Sequence, residues 1–75
     1  MTGDADFHVI LFQSVSHALK AERALKKEDI SHKLIPVPKH ISSDCGVCIR
    51  FAPEDEIKVG DILARGIPFR EVRPL

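Results

Sequence analysis

Val47-Cys48-Ile49-Arg50-Phe51-Ala52-Pro53-Glu54-Asp55 decides the fold of this chain. Val47, Ile49 and Phe51 alternate with Cys48 and Arg50, the period of two that gives a β-strand one apolar and one mixed face. The pattern breaks at Pro53. Proline suits the first position of a helix, where its missing N–H costs no hydrogen bond, and Glu54 and Asp55 suit the helix's positive end. Val59, Ile62 and Leu63 then share a face, Gly66 offers a C-terminal stop and Pro68 blocks continuation.

The same strand-to-helix switch occurs earlier. Residues 7–12, Phe-His-Val-Ile-Leu-Phe, form an apolar β-rich run. Ser14 or Ser16 can cap a helix over residues 15–28, whose stripe is Val15, Ala18, Ala21 and Leu25. Asp29 falls near its end, where Asp tolerates a left-handed conformation. Residues 32–37 read as a second strand, and Pro36 and Pro38 assign it to a sheet edge because they cannot donate to a ladder. Residues 69–73 make a short last strand closed by Pro74. The order β-α-β-β-α-β predicts an α+β sandwich of ferredoxin-like type, a four-stranded antiparallel sheet with two helices on one face. Strands one and three belong in its centre. Strand one is apolar on both sides, so the helix-free face, expected to carry His8, Ile10 and Phe12 or their neighbours with Cys48 and Arg50, suggests cover by a second subunit and hence a homodimer.

Composition limits the function. Seventy-five residues allow one small domain, expected over 7–75 behind a disordered tail of residues 1–6. Eleven basic and eleven acidic side chains cancel, and there is no Trp or Tyr, which argues against a nucleic-acid binder. Lys20, Arg23, Lys26 and Lys27 share their helix with Glu22 and read as a solvated face. The longest apolar run, residues 9–12, falls far short of the ~20 residues that cross a bilayer. The acidic start lacks a signal peptide's pattern. The expectation is a soluble cytoplasmic protein with reduced thiols. No phosphate loop, Gly-x-Ser-x-Gly elbow or His-Glu-x-x-His motif occurs, and a chain this small does not enclose a large substrate pocket.

The remaining chemistry lies in Ser42-Ser43-Asp44-Cys45-Gly46-Val47-Cys48, which holds both cysteines. Ser42, Ser43 and Asp44 form turns readily, and Gly46 permits a bend and the close approach of another molecule. A thiol at Cys45 would sit on a loop held by a scaffold. Lys39 and His40 are candidates for stabilising its thiolate, and Asp44 would oppose them. The plainer reading is a small structural cysteine. Cys48 falls within the third strand. An extended path from 45 to 48 spans ~10 Å, whereas a disulfide needs Cα atoms within ~7 Å, which disfavours a redox pair without removing Cys48 as a second thiol. Cys45, Cys48, His32 and His40 are zinc-type ligands, but their spacing matches no zinc motif, so no metal or other cofactor is expected.

The runs Val9-Ile10-Leu11-Phe12-Gln13-Ser14-Val15-Ser16-His17-Ala18-Leu19-Lys20-Ala21-Glu22 and Leu34-Ile35-Pro36-Val37-Pro38-Lys39-His40-Ile41-Ser42-Ser43-Asp44-Cys45-Gly46-Val47-Cys48-Ile49-Arg50-Phe51 resemble the small selenium/sulfur carrier-like domains. The most specific parts are Pro-x-Pro, the Ser-Ser-x-Cys-Gly turn and the closing Arg-Phe. Asp29 departs from the glycine expected before Ile30. The resemblance implies that Cys45 accepts a persulfide or selenopersulfide from a desulfurase-like donor and hands it to an acceptor enzyme, as a carrier rather than a catalyst. Ser42, Ser43 and Gly46 would shape the loop. The competing readings are an interaction or regulatory module with a structural Cys45, and a Cys45/Cys48 thiol-disulfide module.

Overall fold

The computed structural model describes residues 7–41 and 46–75. The expected tail, residues 1–6, and Ser42-Ser43-Asp44-Cys45 lie outside the described residues. The elements are β1 (His8–Leu11), α1 (Val15–Lys27), β2 (His32–Pro36), β3 (Val47–Phe51), a 3-10 turn (Pro53–Asp55), α2 (Glu56–Leu63) and β4 (Glu71–Pro74).

Each element ends where its residues require. Ser14 is the α1 cap, with its hydroxyl accepting from the His17 N–H at 3.3 Å, which satisfies one of the orphan amides of the first turn. At the other end Asp29 takes φ 61°. The Asp29 N–H donates to Lys26 O and the Ile30 N–H to Leu25 O, both at 3.0 Å. Ile30 and Leu25 also share the core, so the ending has both the bonds and the apolar contact of a Schellman motif. Gly66, at φ 109°, reverses the chain after α2, a conformation open to glycine because it has no Cβ. Pro53 opens a 3-10 turn rather than the α-helix itself, and α2 starts three residues later. Val15 departs from the expected stripe. It occupies the first helical position, one turn before the buried Ala18, and is half exposed.

The strands lie in the order β2-β3-β1-β4, all neighbours antiparallel. This is the ferredoxin-like arrangement, with the proline-free strands in the centre. Register sorts the side chains to two faces, because directly opposed residues point the same way. Ile10, Ile49, Phe51 and Val72 face the helices and pack with Ala18, Ala21, Leu25, Val59, Ile62 and Leu63. His8 is also on this side, edge-on to Phe51 and 3.0 Å from Glu56 Oε1. The opposite face carries Val9, Leu11, Ile35 and Cys48, so Cys48 and Arg50 are joined there by the neighbours of His8, Ile10 and Phe12.

Both edges carry a proline in a telling position. The Val37 N–H donates to Gly46 O at 3.1 Å, so by antiparallel alternation residues 35 and 33 also bond to β3 and residue 36 turns its backbone outward. The Leu75 N–H donates to Phe7 O at 2.8 Å, which likewise turns residue 74 away from β1. Pro36 and Pro74 therefore fall where a strand would offer an N–H to a stranger, and offer none.

His32, at the start of β2, ties the edge to α1. Its Nδ1 lies 2.7 Å from Ile30 O and its Nε2 3.0 Å from Glu22 Oε2. Both partners are acceptors, so the cationic ring makes both bonds and a neutral ring only one.

Candidate thiol site

The site is built on the connection between β2 and β3, whose base is fixed by the bond from Val37 to Gly46. After Val37 the chain turns at residues 38–41, closed by the Ile41 N–H donating to Pro38 O at 3.0 Å. Lys39 and His40 are the exposed middle residues of that turn. Ile41 then drives its side chain back into the sheet, where it is only 4% exposed among Val9, Leu11 and Cys48, with Ile35 and Val37 alongside. The apolar half of the helix-free face is thus closed by this chain's own turn. That closure buries Val9, Leu11 and Cys48 within one chain.

Of the residues expected to carry chemistry, Cys45, Ser42, Ser43 and Asp44 lie outside the described residues. Their flanks, Ile41 and Gly46, are both anchored, one by burial and one by a ladder hydrogen bond. A Cβ added at Gly46 would meet no atom within 4 Å, so crowding from the described residues does not demand glycine there. Cys48 is in β3 as expected, fully buried, its Sγ directed at Pro36 O at 4.0 Å. It packs there with Val9, Leu11 and Ile41.

Among the described residues, no three His, Cys, Asp or Glu side chains converge on a point where a metal would fit. His32 is engaged by Glu22 and Ile30, on the far side of the sheet from Cys48. His40 stands on the turn. No described helix is long and apolar enough to cross a membrane.

Ile41 is the residue that sequence reading missed. Its signal was present: a single large apolar side chain within the polar run from Lys39 to Asp44. Such a residue on a short connection has one economical use, which is to pin the loop to the core.

A ferredoxin-like sheet whose β2–β3 connection carries the sequence Ser-Ser-Asp-Cys-Gly defines the class. Residues 7–73 match the family model described as Putative Se/S carrier protein-like, and the chain belongs to that family. No curated protein and no solved structure matches the chain.

Proposed function

We propose that this chain is a sulfur or selenium carrier whose working group is the Cys45 thiol. The observation that carries the reading is the anchoring of both flanks of the turn, joined to family membership. Cys45 is bonded directly to Gly46, so covalent geometry keeps their Cα atoms ~3.8 Å apart whatever path the turn takes. Gly46 is in turn tethered to Val37. A thiol on so short a leash stays close to the rigid sheet, which favours presentation to a docked partner over a long-range swing.

The transfer balances without an oxidant. The Cys45 thiolate attacks the outer chalcogen of a donor persulfide or selenopersulfide. A bond forms between Cys45 Sγ and that atom, the donor's bond to it breaks, and the donor cysteine leaves as a thiolate. The terminal proton travels with the transferred atom. A thiolate of the acceptor enzyme repeats the exchange and restores Cys45. Lys39 supplies positive charge from the adjoining turn, with His40 beside it as a hydrogen-bonding group. The donor is a cysteine desulfurase-like enzyme, the acceptor an enzyme of selenium or sulfur metabolism, and a reducing cytoplasm suits both thiols. The burial of Cys48 supports a division of roles in which it packs the face beneath the turn.

Intact mass under non-reducing conditions, after incubation with a desulfurase and cysteine or selenocysteine, tests the proposal. The expected result is one added chalcogen on the wild type and on Cys48→Ala, and none on Cys45→Ser. An unmodified wild type, or an adduct retained by Cys45→Ser, would overturn it.

A further inference from the structure

The helix-free face has a second half, away from Ile41, and its chemistry is different. Register aligns Lys33 of β2 with Arg50 of β3, Arg50 with Val9 of β1, and Val9 with Arg73 of β4. Adjacent strands are ~4.8 Å apart, so Lys33 and Arg50 are immediate neighbours. Like charges directly opposed across a ladder destabilise a sheet. Among the described residues no acid forms an ion pair with either one; Arg73 is answered by Glu71 at 3.7 Å.

Lys33 and Arg50 also share a cleft of about 240 Å³, lined further by Phe7, Ser31, His32, Phe51 and Ala52. The Arg50 guanidinium lies over the Phe7 ring, 4.1 Å from its centre. That cation–π contact steadies the guanidinium, whose five N–H donors can serve a planar or tetrahedral oxyanion. His32 is already committed to Ile30 and Glu22, so the donors left to a ligand are the Lys33 ammonium, the Arg50 fork and the Ser31 hydroxyl.

We propose that this cleft binds a doubly charged oxyanion, a phosphate or phosphate ester, bridging Lys33 and Arg50. Two fixed positive charges side by side match an anion of charge two, which removes their mutual repulsion. A carboxylate neutralises only one of them. The tetrahedral oxygens give Ser31 an acceptor as well, and Phe7 and Phe51 wall the space against the rest of an ester. The cleft lies at the opposite end of β3 from Gly46, and its occupancy does not depend on the chemistry proposed for Cys45.

The probe is inorganic phosphate, titrated into isotopically labelled protein and followed by amide chemical shifts. Chloride and acetate at matched ionic strength form the comparison arms. Saturable shifts centred on Ser31, Lys33, Arg50 and Ala52 are expected, with acetate at least about tenfold weaker. Lys33→Gln, a change at an exposed position that leaves the core intact, is expected to weaken phosphate at least about tenfold. It is also expected to raise the melting temperature of the ligand-free protein, since it removes the opposed charges. Shifts that rise linearly without saturating, equal shifts with acetate, or undiminished phosphate affinity in Lys33→Gln would each overturn the proposal.

Discussion

Ile41→Ala separates a pinned turn from one that merely rests on the sheet. Ile41 is 4% exposed and contacts the cluster of Val9, Leu11 and Cys48. The substitution removes three carbons from that cluster, a transfer loss of about 2.4 kcal/mol at ~0.8 kcal/mol per buried methylene. A cavity against the rigid β1–β3 ladder brings the cost to about 3 kcal/mol, within the range for Ile→Ala in cores. A domain of this size holds only about 4–11 kcal/mol in total. The melting temperature should then fall by roughly 12–24 °C. Thermal and urea unfolding by circular dichroism are the assays, with Ile57→Ala as control, because Ile57 is 88% exposed and should change stability by less than about 0.5 kcal/mol. A shift in Ile41→Ala no larger than in the control would refute the anchoring of the turn at Ile41.

Three further outcomes are expected. Cys48→Ser should cost about 1–3 kcal/mol in urea unfolding, because a hydroxyl reaches less far than sulfur and Pro36 O at 4.0 Å is out of its range; Cys48→Ala, which buries no polar atom, should be milder. Asp29→Val should lose about 1–2 kcal/mol at φ 61°, whereas Asp29→Gly should stay within about 0.5 kcal/mol, relief of the left-handed backbone being offset by a freer unfolded chain. Glu28, by hydrogen bond and by charge, and more weakly Asp61, hold the Arg65 guanidinium above arginine's ordinary pKa. A raised pKa stabilises fully below the unfolded value and is lost only as pH climbs through the folded one. Arg65→Ala should therefore lower the melting temperature slightly, by an amount that disappears in high salt and that the Arg65 charge does not make pH-dependent near neutrality.

The fold was legible because its signals are local. The alternation of residues 47–51, the proline at 53, the serine before α1 and Asp29 after it each act within a few residues of chain. The central placement of β1 and β3 followed from their freedom from proline. What resisted reading depends on register. Whether Val9 and Leu11 or His8 and Ile10 face the helices turns on a one-residue choice, and an apolar run of six residues supports either. The β2–β3 register likewise sets Lys33 against Arg50, two residues seventeen apart in sequence whose proximity no periodicity reveals. The fold of the Ile41 turn onto the sheet is also a tertiary contact, which no local pattern in the sequence assigns to one cluster. Val15 was misread because helical periodicity records a direction without saying where the covering layer begins.

The outward-facing prolines at 36 and 74 determine how this domain can be recognised. Each flank loses one outward amide proton while Leu34 and Val72 keep theirs, so a visiting strand meets an interrupted template and encounters with other proteins lean on side chains. Main-chain pairing accepts nearly any sequence, whereas side-chain contacts are selective and can be retuned one residue at a time. For the carrier role proposed for Cys45 that selectivity matters, since each wrong partner would be a place for the cargo to be lost.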